Sequence, residues 1–417
     1  MAKNTVAVIG GGPGGMMAAW AAADSGAPVI LWEKNRRLGR KMLISGKGRC
    51  NVTNNCSVSE LVKAMVGNGK FLYGAFSDFS PADTMNWLTQ GGVELKTERG
   101  NRVFPVSDQA SSIVDSMAQR LQDVGVKVEL GVDVEKLSIE NDSVTGVVIK
   151  GRTIPVGAVV VATGGLSYPA TGCTGAGYEL AAQAGHSIKP LYPALVPLVV
   201  REKYVQDLEG LSLRNAEIIL KHGSKVLGRE FGEMVFTDFG VSGPVILTLS
   251  HLAGKHFLSQ PQEPLELRIN LKPALTSEQL DQRLLRDFDT YPKRNYSTLL
   301  QGLLPKKLIP VFVTLSGIDP WKQGHQLNRA DRKIILRLLR EFPFTVTGCR
   351  PLSEAIVTAG GVNIKEIDPK TMASRKTQGL YFAGEVMDVH GLTGGFNIQA
   401  ALASGYRCGR AAARQLI

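Results

Sequence analysis

Three glycines near the N-terminus have the spacing that binds the phosphates of a dinucleotide. Gly10, Gly12 and Gly15 form the pattern G-x-G-x-x-G between an apolar run, VAVI, and an alanine-rich segment. This order predicts a strand, a tight turn and a helix. The first glycine would allow the turn, the second would let a pyrophosphate approach the backbone, and the third would let helix and strand pack closely. The alternative is a glycine loop that only turns the chain.

An acidic residue follows the second predicted strand, Pro28–Trp32. Glu33 lies about 20 residues after the glycine motif, where a carboxylate can accept hydrogen bonds from an adenosine ribose. The N-terminal motif alone does not distinguish NAD from FAD.

A second strand, loop and helix pattern lies near the C-terminus. The predicted strand Gly379–Ala383 is followed by Gly384, by the acids Glu385 and Asp388, and by a helix that starts at the sequence GGFN, residues 394–397. A helix start directs N–H groups and a positive dipole at a ligand, and in flavin enzymes the natural target is the N1/O2 edge of the ring. A plain core helix is the alternative.

The composition is that of a globular protein with room for two or three domains. The chain has 417 residues, of which 44% are hydrophobic and 20% charged, and it has no apolar run of the ~18 to 20 residues that a membrane span needs. We therefore expect a cytoplasmic protein with no membrane partner. The five cysteines lack C-x-x-C or zinc spacing, and five of the histidines lack ligand-like spacing, so we expect reduced thiols and no metal site. Those histidines are His186, His222, His251, His256 and His325.

Positive charge is concentrated in two places. The net charge is +11, and residues 281–340 hold 12 Lys/Arg against 5 Asp/Glu, so 12 − 5 = +7 lies in this segment. Such charge is typical of a nucleic-acid or anionic-surface contact, or else of a solvated helical face and a phosphate-handling loop. The second cluster consists of Arg36, Arg37, Arg40, Lys41, Lys47 and Arg49.

The remaining segments predict three kinds of structure. The irregular connection 35–54 is typical of a ligand loop, and Ala158–Ala162 predicts a central buried strand. Pro190, Pro193 and Pro197 are expected to break up the chain, and short alternating strands from there to Leu271 predict a small β-barrel. Helical periodicity from Thr276 to Phe342, with Asn328 as an N-cap, predicts a helical insert.

Seven separated motifs together resemble the YhiN/BaiN-like family of NAD(P)/FAD-dependent oxidoreductases, also labelled aminoacetone-oxidase-like flavoproteins. The motifs are GRKMLISGKGRCNVTN, ERGNRVFPVSDQA, ATGGLSYPATGCTGAGY, YPALVPL, FTDFGVSGP, AIVTAGGV and GEVMDVHGLTGGFNIQAALASG, which span essentially the whole chain. The resemblance implies an α/β fold: a split FAD-binding Rossmann domain of the glutathione-reductase type, with an inserted small β-barrel domain and a nested helical domain. The implied boundaries are 1–190 and 345–417 for the FAD domain, 191–272 and 341–350 for the barrel, and 273–340 for the helical domain.

The resemblance also implies non-covalent FAD and a set of contact residues. Two positions depart from the family pattern: Ala176 stands where an acid is expected, and His390 stands where Asp or Thr is commoner. The implied FAD contacts are Gly10, Gly12, Pro13, Gly14, Gly15, Glu33, Lys34, Arg40, Lys41, Ser45, Gly46, Arg49, Cys50, Asn51, Val134, Ala162, Thr163, Gly164, Gly165, Gly384, Glu385, Asp388, Gly395, Phe396, Asn397, Ile398 and Gln399.

The chemistry beyond the flavin is left open by the sequence. No second intact G-x-G-x-x-G follows a strand, so NAD(P)H, if it is the donor, would visit the flavin transiently. Proton handling near the ring is assigned to His390, Arg49 or Cys50, with a loop hydrogen-bonder, a loop anchor and a small buried filler as the respective alternatives. For Cys50 the filler is favoured, because a basic neighbour pair is lacking.

Two functions follow as hypotheses. The first is an FAD-dependent oxidoreductase acting on a small organic substrate, an amine or an enone, with oxygen as a possible acceptor. The second is a flavin-containing protein that binds nucleic acid or an acidic partner through the basic helical insert. The substrate and the oligomeric state are not predicted.

Overall fold

The computed structural model describes residues 4–417, and the chain divides into two compact units. The first unit comprises the chain up to Tyr192 together with Leu352–Ile417, and the second is Pro193–Pro351. Each unit has its own core of buried apolar side chains. The first unit is discontinuous in sequence, because the second is inserted between its two parts.

The strands and α-helices are numbered here in chain order. Up to the insertion these are β1 Val6–Ile9, α1 Pro13–Asp24, β2 Val29–Glu33, α2 Arg40–Ile44, β3 Thr53–Asn54, α3 Val58–Ala64, α4 Tyr73–Asp78, α5 Pro81–Gln90, β4 Leu95–Glu98, β5 Arg102–Pro105, α6 Ala110–Asp123, β6 Lys127–Leu130, β7 Lys136–Glu140, β8 Ser143–Ile149, β9 Arg152–Pro155, β10 Ala158–Val161, α7 Ala176–Gln183 and β11 Ile188–Ala194. The second unit contains β12 Leu198–Val200, β13 Ser212–His222, β14 Lys225–Phe236, β15 Gly240–Ser242, α8 Pro244–Ser259, β16 Leu265–Asn270, α9 Ser277–Thr290, α10 Tyr296–Leu299, α11 Ile309–Ser316, α12 Arg329–Arg340 and β17 Phe342–Cys349. The chain ends with β18 Val357–Val362, β19 Leu380–Phe382 and α13 Phe396–Leu416.

A five-stranded parallel sheet lies at the centre of the first unit. Its order is β19-β10-β1-β2-β6, and all four neighbouring pairs are parallel. Every residue of β1, β10 and β19 is buried, as expected for strands covered on both faces. Because parallel strands end at the same edge, the loops after β1, β2, β10 and β19 meet at one edge of the sheet.

Helices α1 and α13 pack together because glycines let their backbones approach. A β-carbon at Gly405 would lie 2.3 Å from the Gly14 carbonyl oxygen, and one at Gly409 would lie 2.2 Å from the Ala18 carbonyl oxygen. The small-residue sequence of α13 therefore lets the middle of this helix pack closely against the first half of α1.

One sequence expectation in the first unit is wrong. The prolines between Gly185 and Pro197 predicted a broken chain, yet Pro190 and Pro193 lie within strand β11, which pairs with β18 in a two-stranded sheet. Proline is tolerated in such an edge strand because it lacks only an N–H donor.

A closed six-stranded barrel forms the second unit together with helices. The barrel order is β12-β15-β14-β13-β16-β17. Thr276 caps α9 by accepting from the Gln279 N–H, and Asn328 caps α12 by accepting from the Ala330 and Asp331 N–H groups. The predicted N-cap at Asn328 is confirmed.

The fold is α/β, with a Rossmann-type domain, a closed barrel and a helical portion, as the sequence predicts. Among the helices within residues 4–417, none combines the length and the apolar character that crossing a bilayer requires.

Candidate cofactor site

The three glycines after β1 have three different surroundings. Gly10 has a φ of +105°, and a β-carbon there would lie 2.6 Å from the Ala162 carbonyl oxygen. A β-carbon at Gly15 would lie 1.8 Å from the Gly10 carbonyl oxygen. At Gly12, the N-cap of α1, an added β-carbon would meet no atom within 4 Å. Gly10 and Gly15 therefore serve the turn and the packing, whereas Gly12 leaves open space in front of the helix N-terminus.

The Glu33 carboxylate braces this glycine loop from the end of β2. Its Oε2 accepts from the Gly11 N–H at 2.6 Å, and its Oε1 accepts from the Asn35 backbone N–H at 2.8 Å and from Asn35 Nδ2 at 2.6 Å. The side chain is buried. A carboxylate has about four acceptor positions, so three are occupied and one remains for the ribose contact that the sequence predicts. The bracing role is one that sequence reasoning missed.

The basic residues after Glu33 do not act as one cluster. Lys34 Nζ donates to Thr174 Oγ1 at 2.7 Å, and Arg40, which is exposed, donates to Asn35 Oδ1 at 2.8 Å. Lys41 is directed into the molecule and is only 25% exposed. Of these three residues, Lys41 is therefore the one whose side chain reaches a partly buried position.

Lys41 joins Glu385 in a half-buried polar network at the edge of the sheet. Lys41 Nζ lies 2.8 Å from Glu385 Oε2 and donates to Ser167 Oγ at 2.5 Å. Glu385 Oε1 accepts from the Thr358 N–H at 2.8 Å and from Ser167 Oγ at 3.1 Å. Ser167 and Thr358 lie in two of the quoted motifs but were not predicted as site residues, because the motifs are far apart in the sequence and do not show that the two side chains meet.

Residues 45–51 form a tightly wound loop in which Cys50 is inaccessible. Gly46 and Cys50 have φ values of +57° and +58°, and Cys50 is 0% exposed. Burial raises the pKa of the Cys50 thiol to about 12. A neutral, enclosed thiol is a poor nucleophile and proton carrier, which favours the packing role for the Cys50 side chain, while a cofactor contact at this position stays a prediction. Ser45 Oγ donates to the Met42 carbonyl at 2.7 Å, and the Asn51 Oδ1 atom is buried without a hydrogen-bond partner.

The Arg49 guanidinium binds two carboxylates and lies against an aromatic ring. Its Nε donates to Asp108 Oδ1 at 2.8 Å, its Nη2 pairs with Glu98, and its guanidinium lies 4.1 Å from the centre of the Phe104 ring. A hydrogen bond from Lys96 and a second one from Arg49 lower the pKa of Asp108 despite some desolvation. These contacts favour the loop-anchor interpretation, because both edges of this guanidinium already bind carboxylates, and the catalytic and cofactor roles stay predictions.

The exit of β10 brings small residues to the same edge of the sheet. Gly164 has a φ of +75°, and a β-carbon at Gly165 would lie 2.5 Å from Thr358 Oγ1. Ala162 is buried, and Thr163 Oγ1 is a second buried polar atom without a hydrogen-bond partner. Val134, which is buried, follows β6 at the far side of the same sheet.

The start of α13 is fixed by contacts within the protein. Gly395 is the N-cap with a φ of +96°, and a β-carbon there would lie 2.4 Å from the Thr53 carbonyl. The Asn397 side chain accepts from the Gly391 N–H at 2.8 Å and donates to the Gly391 carbonyl at 3.0 Å. Both polar atoms of this side chain therefore serve to fold the preceding loop. Phe396 and Ile398 are half-buried.

The Gln399 side chain makes structural hydrogen bonds, and its cofactor contact stays a prediction. Its Oε1 accepts from Thr53 Oγ1 at 2.6 Å and from Thr84 Oγ1 at 2.7 Å, and its Nε2 donates to the Phe79 carbonyl at 2.8 Å. The side chain is 0% exposed, so every one of these polar groups faces protein. The sequence did not reveal these hydrogen bonds, because the partners of Gln399 lie in distant segments.

In the loop between Gly384 and α13, Asp388 and His390 each contact residues from other loops. Asp388 accepts from Asn68 Nδ2 at 3.1 Å, and burial raises the pKa of its carboxyl while this hydrogen bond opposes the shift. His390 is buried, forms a β-bridge with Gly67, and lies edge-on to Tyr192 with 6.2 Å between ring centroids. Gly384 itself donates its N–H to Ser404 Oγ at 3.0 Å.

The family model described as HI0933-like protein Rossmann domain matches residues 4–411. The chain belongs to this family. The predicted resemblance to the YhiN/BaiN-like group and the prediction of an oxidoreductase are therefore confirmed.

Two curated relatives match over nearly their full length. A 3-dehydro-bile acid delta(4,6)-reductase of Clostridium scindens is 33% identical over 99% of this chain and 100% of its own. A ribosomal RNA dihydrouridine synthase of Haemophilus influenzae is 31% identical over 98% of each chain. Among solved structures, a flavocytochrome c3 fumarate reductase has a TM-score of 0.54 at 18% identity, over 99% of this chain and 78% of its own. This last likeness shows that the fold is one used by flavoproteins.

Proposed function

We propose that this protein is an FAD-dependent reductase that saturates a carbon–carbon double bond conjugated to a carbonyl group. The observation that carries the proposal is the contact between the two motifs: a β-carbon at Gly14, in the first turn of α1, would lie 3.3 Å from the Ala401 carbonyl oxygen of α13 and 3.5 Å from the carbonyl carbon of Ala383, which follows β19. The start of α1 therefore lies against the C-terminal strand, loop and helix, and its free N–H groups suit an anionic dinucleotide.

The residues at the edge of the parallel sheet fit FAD on two further observations. Gly12 leaves space where a side chain would otherwise stand, so a pyrophosphate can approach the backbone. Asn51 Oδ1 and Thr163 Oγ1 are buried polar atoms without partners in two loops that border the site. Buried polar atoms are normally paired, and unpaired ones call for an explanation such as a ligand group. The first turns of α1 and α13 also contain no acidic residue that would repel phosphate.

The reaction class follows from what the two relatives have in common. Both names describe the addition of two hydrogens across a double bond: one in a 3-oxo bile acid and the other in the uracil ring of RNA. Bound FAD would supply the hydride chemistry. The chain would bind and orient the substrate and exclude water, and NAD(P)H would be a transient donor, because the sequence has no second dinucleotide motif.

Anaerobic reduction of the purified protein tests this proposal. The protein as isolated, or after incubation with FAD, is expected to absorb near 450 nm and to bleach with NADH or NADPH. Cyclohex-2-enone, a simple conjugated enone, is then expected to restore the absorbance faster than its saturated counterpart cyclohexanone does. Failure to take up FAD would contradict the cofactor, whereas bleaching by amines, with oxygen as the fast acceptor, would favour an amine oxidase.

A second candidate is that the substrate is a uridine within RNA. It is favoured by the second relative and by the +7 charge of residues 281–340. Several of the positive side chains in this segment are engaged: Arg332 pairs with Asp281 at 2.6 Å and Lys322 with Asp331 at 2.6 Å. Lys307 donates to the Glu209 carbonyl. Exposed basic residues of this segment that are suited to contacting phosphates include Arg286, Lys293, Lys306 and Lys333.

A gel shift with an RNA hairpin distinguishes this candidate. Neutralising these four residues to Gln should weaken RNA binding and reduce its salt dependence by roughly 0.7–0.9 in the log–log slope for each phosphate that the protein no longer neutralises. A matched control neutralises four exposed basic residues of the first unit, Lys63, Lys70, Arg99 and Lys150. Equal weakening in both quadruple variants would indicate a general charge effect. If the unaltered protein bound no RNA, RNA would be excluded as the substrate. The same salt series with an acidic protein in place of RNA would test an acidic partner.

A further inference from the structure

Two histidines and a glutamate meet in the barrel unit, away from the parallel sheet. His222 ends β13, His256 lies in the last turn of α8, and Glu263 lies in the loop between α8 and β16. One ligand atom from each of the three lies within 4.8 Å of the other two. His222 Nε2 is 2.9 Å from Glu263 Oε2, and the two imidazole rings are 4.7 Å apart between centroids.

The hydrogen bonding of His256 selects the tautomer that binds metals. His256 Nε2 lies 2.9 Å from the Glu263 carbonyl oxygen. A carbonyl only accepts, so Nε2 carries the proton, and in the neutral ring the lone pair is on Nδ1. Metal-binding histidines characteristically donate their other ring N–H to a carbonyl or carboxylate, which fixes the orientation of the ring. His256 is only 9% exposed, so this orientation is held by its surroundings.

We propose that His222, His256 and Glu263 bind a divalent transition-metal ion, with Zn²⁺ as the best match. Two imidazoles and one carboxylate form a known zinc ligand set, with water in the fourth position. Zinc ligands at about 2.0–2.1 Å from the ion lie roughly 3.3 Å from one another in a tetrahedron. His222 Nε2 and Glu263 Oε2, at 2.9 Å, are already close enough, whereas a separation at the 4.8 Å limit would have to shorten by about 1.5 Å around the ion.

The ion would join the end of the β13–β14 hairpin to α8 and to the loop that follows α8. This is a structural role, separate from the redox site. Only one carboxylate offsets the charge of the ion, and Lys225 lies directly opposite His222 in the hairpin. The affinity is therefore expected to be lower than that of a structural site with four protein ligands. The sequence did not reveal the site because its ligands come from three different elements, with no motif spacing.

Zinc titration of tag-free, EDTA-treated full-length protein tests the proposal. We expect one equivalent of Zn²⁺ to bind and to raise Tm, and Co²⁺ to give visible absorption bands. His222→Ala and Glu263→Gln change partly or fully exposed side chains, so both variants should fold without metal. Each should weaken Zn²⁺ binding at least about tenfold and abolish the shift in Tm.

The matched control is His325→Ala, which removes an exposed histidine elsewhere in the same unit. It should bind Zn²⁺ as the unaltered protein does. The proposal is overturned if the unaltered protein binds no stoichiometric Zn²⁺, which would leave a simple His222–Glu263 ion pair. It is equally overturned if His222→Ala and Glu263→Gln bind as tightly as the unaltered protein, because partly exposed thiols such as Cys56 would then be the ligands.

Discussion

Lys41 and Glu385 form an ion pair with 2.8 Å between Nζ and Oε2, although they lie 344 positions apart in the sequence. Lys41 follows the loop after β2, and Glu385 follows β19. The pair therefore links the N-terminal and C-terminal parts of the discontinuous first unit at one edge of the sheet. With exposures of 25% and 19%, both charges are partly shielded from solvent.

This pair should contribute measurably to stability. In a double-mutant cycle with Lys41→Met and Glu385→Gln, we expect a coupling free energy of about 1 kcal/mol, at the upper end of the range for exposed pairs. Urea unfolding of the FAD-free protein measures it. The Arg37–Asp115 pair, at 3.3 Å and with exposures of 54% and 66%, is the control and should couple by less than about 0.5 kcal/mol. Equal coupling in the two pairs would show that partial burial adds nothing.

The glycine motif should separate cofactor binding from folding. Gly12 has a φ of −78° and open space at its β-carbon position, so Gly12→Ala should fold normally while blocking the approach of the pyrophosphate. We expect at least about tenfold weaker FAD binding, followed by 450 nm absorbance and quenching of flavin fluorescence.

The comparison variant is Gly15→Ala, whose β-carbon would overlap the Gly10 carbonyl oxygen. It should lower the free energy of unfolding by at least about 2 kcal/mol even without FAD, because the helix is forced away from the strand. If both alanine variants lost stability equally, Gly12 would be a structural glycine and not an opening for phosphate.

Cys50 should affect alkaline stability and leave turnover unchanged. Folding raises the pKa of this thiol from about 9 to about 12, so the folded state holds the proton more tightly. The resulting stabilisation is complete below pH 9 and is lost as the pH rises towards 12. Cys50→Ala should therefore lose less stability than the unaltered protein between pH 8.5 and pH 10.5, as measured by urea unfolding at each pH. Enone reduction at pH 7.5 should stay within about twofold, and a larger loss of turnover would support a catalytic role.

The strand, turn and helix at each end of the first unit could be predicted because their signals are local. Apolar runs, glycines and helix starts lie within a few residues of one another at Gly10 and again at Gly395. What the sequence could not give is the pairing of polar side chains over long distances. Arg49 and Gln399 both resembled ligand contacts in their motifs, yet each is engaged by residues from other segments. The same limit hid the bracing of the glycine loop by Glu33.

Gln399 should prove important for stability. Gln399→Leu removes the acceptor shared by Thr53 and Thr84 and the donor to the Phe79 carbonyl, which leaves buried polar groups unpaired. We expect a loss of roughly 2–4 kcal/mol in the free energy of unfolding. Gln119→Leu, at an exposed position of α6, should change it by less than about 0.5 kcal/mol. A Gln399 variant of normal stability that had lost only FAD affinity would support the cofactor contact.

Replacing Asp388 should keep the protein stable at pH 7 and should lower activity if its carboxylate serves the cofactor or the substrate. Burial raises the pKa of its carboxyl, so the stabilisation tied to the protonated form is present at low pH and is lost as the pH rises through the folded-state pKa. Asp388→Asn keeps an acceptor for Asn68 and removes the buried charge. The stability of this variant relative to the unaltered protein should therefore be higher at pH 7 than at pH 4, as measured by thermal unfolding at both pH values.

If the carboxylate serves the cofactor or the substrate, FAD affinity or enone turnover should fall in the same variant. Asp133→Asn, at an exposed loop position, should show neither effect. A loss of stability at pH 7 in Asp388→Asn would mean that the carboxylate is held by favourable interactions that outweigh its burial.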